Sequence, residues 1–202
     1  MPGHGVDEDK RATLRRFAAL GAATSLAGVI EHPDGESNAR EAILGYLAAT
    51  PGAHFSKVRD DLSLGTGETQ HHLRHLLEAG AIESYRDGDY RRFFPAGRFS
   101  AFEQVALGYL RRETPRGMVI ELLSDPEAGA GDLAEALDVS APTVSKHAAE
   151  LDEAGLLDRE DGYALARPET LLVLLVRHAD SFDDDAVTFA GEAAAHISVD
   201  GE

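Results

Sequence analysis

The chain has no cysteine. That excludes a disulfide framework, a thiolate zinc site and a cysteine nucleophile. Lysine is nearly missing, with Lys10, Lys57 and Lys146 the whole set. No apolar run is long enough to cross a bilayer: the stretch after Arg15-Arg16 is about 14 residues, against the roughly 20 that a spanning helix needs. Catalytic spacings are missing too. No Ser-His-Asp arrangement or paired-carboxylate motif stands out, and Gly65-Thr66-Gly67 lacks the Gly-Lys-Ser/Thr that completes a phosphate loop. These absences speak against an enzyme and imply no cofactor and no resident metal.

What is present is acid. Asp and Glu number 36 against 19 Lys and Arg, a net charge of −17. A DNA-binding protein is ordinarily basic, because phosphate contacts come from Lys and Arg. The lysine-poor, acid-rich and Ala/Gly-rich composition resembles that of proteins from extreme halophiles. In molar salt the Debye length shrinks to about 3 Å and self-repulsion is screened. The other reading is a generic acidic protein that avoids nucleic acid. The charge is uneven: residues 38–98 carry eight basic and eight acidic side chains, whereas 99–167 carry six and 14. The segment 38–98 also holds four of the nine histidines. If one part of the chain meets a polyanion, charge selects this one.

The chain repeats itself. Leu62-Ser63-Leu64-Gly65-Thr66 through Glu78-Ala79-Gly80 aligns without a gap on Leu137-Asp138-Val139-Ser140-Ala141 through Glu153-Ala154-Gly155. Each copy ends in Glu-Ala-Gly, followed by an apolar step and an Asp-Gly turn. A short helix, a turn, a second helix and a hairpin are expected twice, which is the pattern of a winged helix-turn-helix. The expected fold class is mainly α with small β wings: two tandem modules plus connecting and C-terminal helices. Four segments follow: 1–37 (N-terminal helix and linker), 38–98 (first module), 99–167 (connecting helix and second module) and 168–202 (C-terminal helical extension).

Local signals supply the detail. Asn38 is expected to cap a helix carrying Ile43, Leu44 and Leu47, Ser56 a short helix, and Thr66 the recognition helix, with Leu73, Leu76 and Leu77 inward. Gly80 suits the left-handed residue at its end. Ile82 to Arg86 and Tyr90 to Phe94 read as strands about an Asp87-Gly88 turn. Residues 99–113 read as an amphipathic helix that packs between modules or forms a dimer seam. Ser140 caps the second recognition helix. Leu156 to Glu160 and Tyr163 to Ala166 bracket a second wing. Leu171 to Val176 is apolar on every helical face and demands burial all round. Residues 186–197 suggest a further Ala-rich helix. Residues 11–30 superficially resemble a twin-arginine export signal. Phe17 directly after the arginine pair and the acidic Asp7, Glu8 and Asp9 ahead of it depart from that pattern, and a helix packed on the first domain is the other reading.

The chemistry-bearing residues lie on the two second helices and the wings. The first recognition helix offers Thr66, Thr69, Gln70, His71 and Arg74, with His75 next to them; Gln suits adenine, Arg guanine, and Ser or Thr bases and phosphates. Arg86, Arg91 and Arg92 on the wing are placed to meet phosphate. Lys57 and Arg59 lie on the preceding helix, which in such motifs crosses the backbone. The second recognition helix offers Thr143, Ser145, Lys146 and His147, but Glu150, Asp152, Glu153, Asp158, Glu160 and Asp161 follow closely. This module either contacts DNA or serves as a dimerisation or partner-binding module. His71 and His75 are one helical turn apart, a zinc-ligand spacing, yet without cysteine the DNA-facing reading is favoured.

The string Gly65-Thr66-x-x-x-Gln70-His71-His72-Leu73-x-x-Leu76-x-x-Ala79-Gly80-x-Ile82, then Tyr90-Arg91-Arg92-Phe93-Phe94-Pro95, resembles archaeal winged-helix transcriptional regulators of the MarR/ArsR-like type. The second string, from Leu137-x-Val139-Ser140 to Leu151-x-x-Ala154-Gly155-Leu156, is similar to the same superfamily. The resemblance covers about residues 38–166. It implies the fold and binding to double-stranded DNA; a cytoplasmic transcription regulator with no membrane association is expected, as a homodimer because helix-turn-helix proteins double their half-sites by symmetry. A tandem winged-helix adaptor that binds protein and not DNA is the alternative. The acidic second wing departs from the family pattern.

Overall fold

The computed structural model of the protein describes residues 36–199. The expectations for the N-terminal segment, export signal or packed helix, lie outside them. The chain divides into two compact units, with the break between Ser100 and Ala101. No helix among the described residues is long and apolar enough to cross a membrane.

The first unit is built in the order α1 (Glu36–Ala49), β1 (Ala53–His54), α2 (Phe55–Asp61), α3 (Thr66–Glu78), β2 (Ile82–Asp87) and β3 (Tyr90–Pro95). Its antiparallel sheet has the order β1-β3-β2, with Ala53 opposite Phe93 and Ile82 opposite Pro95. The three helices and the base of the sheet bury Ile43, Tyr46, Leu47, Val58, Leu62 and Leu73, a contiguous apolar core of the kind that dominates the stability of a small domain. The expected caps are corrected here. Asn38 lies inside α1 and does not cap it. Helix α2 starts one residue before Ser56 and is capped by His54, whose Nδ1 accepts the Lys57 N–H at 3.3 Å. Thr66 is the first residue of α3; the cap is Gly65, whose N–H donates to the Glu68 carboxylate at 3.1 Å. Leu77 is only half-buried.

The second unit runs α4 (Ala101–Leu110), α5 (Glu113–Ser124), α6 (Ala130–Ala136), α7 (Ala141–Glu153), β4 (Leu157–Asp158), β5 (Ala164–Leu165), α8 (Pro168–His178), a 3-10 turn (Ala179–Ser181) and α9 (Asp184–Val199). Here the cap is as the sequence suggests: Ser140 Oγ accepts the Thr143 N–H at 3.3 Å. Met118, Leu133, Leu151, Leu156 and Leu171 are fully buried. The expected helix over 99–113 breaks at Arg111-Arg112, and these arginines do structural work. Arg111 and the buried Arg116 both stack on Phe182, at 4.5 and 6.0 Å from its centroid. Arg111 donates to Ser181 and Arg116 pairs with Asp183. Burial holds the Arg116 pKa below the ordinary arginine value, against the pull of Glu113 and Asp185.

Helix α8 corrects another expectation. Leu171, Leu174 and Leu175 are buried, but Val173 is 52% exposed and Leu172 and Val176 are half-buried, so the helix is not covered on all sides. At 3.6 residues per turn, six consecutive residues occupy every direction, and one of them had to face outward.

The repeat is physical. Ser63 and Asp138, which occupy the same position in the two copies, have φ of 53° and 50°. These are the only non-glycine residues with positive φ among those described, and both sit in the turn between the paired helices. Gly80 and Gly155, at φ of 65° and 71°, terminate the two recognition helices alike.

Candidate nucleic-acid interface

Helix α3 turns Leu73 and Leu76 into the core. Its opposite side exposes Thr66, Gln70, His71, Arg74 and His75. Thr66, Gln70 and Arg74 are four residues apart and form one line along the helix. Thr69 is not among them. It is fully buried, and its hydroxyl donates to the Gly65 carbonyl at 2.9 Å, fastening the first turn. The inward stripe at spacings of three and four runs through Thr69, Leu73 and Leu76, and carries His72 inward beside it; that periodicity is the signal which removes Thr69 from the outer face. His72 is buried with its ring 5.2 Å from that of His71, while His71 and His75 are both exposed. Among the described residues no group of three potential ligands could hold a metal.

The wing sorts its arginines by strand alternation. Strands β2 and β3 join through Gly88-Asp89, since Asp87 lies opposite Tyr90. Gly88 at φ 57° takes the first position of this two-residue turn, a place that demands positive φ. The expected Asp87-Gly88 turn is therefore displaced by one residue, which frees Asp87 for another task. Its carboxylate accepts from Arg92 Nε at 2.5 Å, and Arg92 also donates to the Gly52 carbonyl at 3.1 Å. Both side chains are buried, at 4% and 7% exposure. Arg92 is thus a strut of the hairpin and not available to a ligand, contrary to the sequence expectation.

Arg86 and Arg91 are different. They are exposed, lie directly opposite each other across the two strands, and so share a face. Arg91 Nε donates to Ser84 Oγ at 2.9 Å and its guanidinium lies 5.7 Å from the Phe93 centroid, which holds it in place without neutralising it. Among the described residues Arg74, Arg86 and Arg91 have no carboxylate partner. On α2 the cations are compensated. Lys57 pairs with Asp61 at 2.9 Å, and Arg59 with Asp60 at 2.8 Å. The hydrogen bond from Arg59 holds the Asp60 carboxyl below its ordinary pKa and raises that of Arg59.

The second module offers the same scaffold with other electrostatics. Ser145 and Lys146 are exposed, while Thr143 and His147 are half-buried. Thr143 is engaged with Ser140, the two hydroxyl oxygens 2.8 Å apart. One carboxylate, Glu150, serves both neighbours: 3.8 Å from Lys146 Nζ and 3.0 Å from His147 Nδ1. The wing is reduced to two residue pairs, Leu157 with Leu165 and Asp158 with Ala164. Asp158 caps the backbone N–H of Glu160 at 2.8 Å, which turns the chain out of the strand, so the expected pairing from Leu156 to Glu160 is made only as far as Asp158. Its one arginine, Arg159, is paired with Asp152 at 3.2 Å. Asp158, Glu160 and Asp161 are exposed.

The residues that sequence reasoning missed are Asp87 and Tyr90. Tyr90 is 52% exposed beside the wing turn, with its ring 5.0 Å from that of His54.

Residues 37–107 match a family model described as an N-terminal HTH domain, and residues 116–159 match that of the bacterial regulatory protein, arsR family. Comparison with curated proteins and with solved structures gives no match.

Proposed function

We propose that this chain, which carries two helix-turn-helix domains in tandem with the second of the arsR type, is a transcription regulator that reads duplex DNA through its first module. Helix α3 enters the major groove with Gln70, His71 and Arg74 toward base edges and Thr66 toward the backbone. The wing sets Arg86 and Arg91 on phosphates. The observation that carries this reading is the Arg86/Arg91 pair. Two like charges directly opposite each other across a ladder are destabilising. They stand exposed, with no carboxylate partner among the described residues, in a chain of net charge −17, and an anionic partner gives the pair a purpose.

The second module does not contact DNA in the same way. Lys146, His147 and Arg159 are each engaged by a carboxylate, and the exposed acids of its wing repel phosphate. A role in dimerisation or partner binding suits it better, and a cytoplasmic homodimer is part of the proposal. Electrophoretic mobility shift with genomic fragments tests the function. Shifted fragments that are lost with Arg86→Ala/Arg91→Ala support it. No shift with any fragment at low or high salt sinks it in favour of a protein-binding adaptor.

A further inference from the structure

The wing hairpin has two faces. One presents Arg86 and Arg91. The other, by alternation, carries Asp87, Tyr90 and Arg92, three residues in register with one another. Tyr90 is the one exposed large aromatic among the described residues. An exposed aromatic alone means little, since folded proteins show many apolar surface atoms. This one is held. The His54 ring lies 5.0 Å away at a tilt of 34°, and the Arg92 guanidinium lies 5.7 Å from the Tyr90 centroid. Arg92 is itself fixed by Asp87 and by the Gly52 carbonyl. The ring is therefore braced by a buried ion pair and by the residue that caps α2, yet half of it stays in solvent. Among the described residues its contacts are these ring contacts, with no hydrogen bond at the hydroxyl. Core aromatics of the same strand, Phe93 and Phe94, are buried, so exposure at Tyr90 is not a shortage of core to enter.

We propose that Tyr90 is an uncharged DNA-backbone contact of the first module. Its ring packs on a deoxyribose and its hydroxyl donates to a phosphate oxygen next to the one held by Arg91. Tyrosine is among the side chains that position proteins on phosphate in this way. A ring already ordered in the free protein loses little conformational entropy when it binds. The inference rests on the proposed DNA reading.

The contact has a signature that separates it from the arginines. Neutralising a phosphate releases condensed counterions, and each such contact contributes about 0.9 to the slope of log affinity against log salt. A tyrosine contributes affinity and none of that slope. The test is fluorescence anisotropy of the full chain on a labelled mixed-sequence duplex over a salt series, with Tyr90→Phe, Tyr90→Ala and Arg91→Ala. Tyr90→Phe keeps the ring on His54, and its thermal unfolding should match that of the unmodified chain. It should bind about tenfold more weakly, the cost of a lost hydrogen bond to a charged group. Tyr90→Ala should be weaker still. Both should keep the unmodified salt slope, while Arg91→Ala lowers it by about 0.9. Two results overturn the inference while leaving the DNA reading intact: tyrosine variants that bind normally, or a Tyr90→Phe slope that falls as in Arg91→Ala. Failure of the unmodified chain to bind the duplex at any salt overturns the DNA reading itself.

Discussion

The two wings spend their carboxylates differently. In the first, Asp87 is buried and neutralises Arg92 inside the hairpin, which leaves Arg86 and Arg91 outside with no carboxylate partner among the described residues. In the second, the acids are on the surface: Asp152 holds Arg159, and Asp158, Glu160 and Asp161 face solvent around it. The helix pairs beneath are shared, down to the left-handed residues Ser63 and Asp138 in their turns. One scaffold thus presents a cationic edge in one copy and an anionic edge in the other. On the proposed reading, the placement of a few acids helps to decide which copy can approach a polyanion.

The comparison breaks most visibly through stability. Asp87→Ala leaves Arg92 charged and buried, which should cost about 3–5 kcal/mol, whereas Asp152→Ala removes an exposed pair and should cost about 0–1 kcal/mol. Urea unfolding of the full chain measures both, and hydrogen exchange over 82–95 should rise only in the first variant. Equal losses would mean that the buried pair is not the strut described. Next in size is base reading. Gln70→Ala and Arg74→Ala should each lose roughly 1–3 kcal/mol of discrimination between a selected site and a scrambled one, while Ser145→Ala in the second module should lose none. Binding-site selection on random duplexes, repeated with each variant, reads this out. Unchanged preference in both first-module variants would remove α3 as the reader.

A smaller effect concerns the caps. Ser140→Ala should cost about 1 kcal/mol, because the hydroxyl that accepts the Thr143 N–H is lost. In the first module Gly65 has no side chain to lose, and Glu68→Ala, which removes the carboxylate on its N–H, should cost a few tenths of a kcal/mol. The features shared by the two copies give the control. Gly80→Ala and Gly155→Ala should each destabilise by about 1–2 kcal/mol, and by the same amount, since both glycines hold positive φ with open space around them. A large difference between them would show that the two helix ends are less alike than their backbones.

Much of this fold was legible because it was written twice. A gapless repeat with Gly80 and Gly155 at the same place specifies two helix pairs and their ends, and Leu73 and Leu76 follow from period. The wing was harder. Reading Asp87 as a turn residue hid its ion pair, and with it the reason why Arg92 turns inward while Arg91, next to it, turns out. Neighbouring residues of a strand point to opposite faces, so a choice between two adjacent arginines depends on pairing that lies outside local sequence. Thr69 was misread for a milder reason: a small polar residue at an inward position can satisfy its hydroxyl on the preceding turn, and its residue type did not reveal this. For α8, a solid apolar run carries no periodicity from which to tell Val173, which is exposed, from Leu174, which is not.

The central claim, that the first module and not the second carries the phosphate contacts, has a direct measurement. It is the salt dependence of duplex binding by the full chain, compared between Arg86→Ala/Arg91→Ala and Lys146→Ala/Arg159→Ala. The first double variant should bind all sequences more weakly and lower the slope of log affinity against log salt by about 1.8, two contacts at about 0.9 each. The second should leave affinity and slope as they are in the unmodified chain. A slope that falls in the Lys146/Arg159 variant and holds in the Arg86/Arg91 variant would contradict the account and assign DNA to the other module.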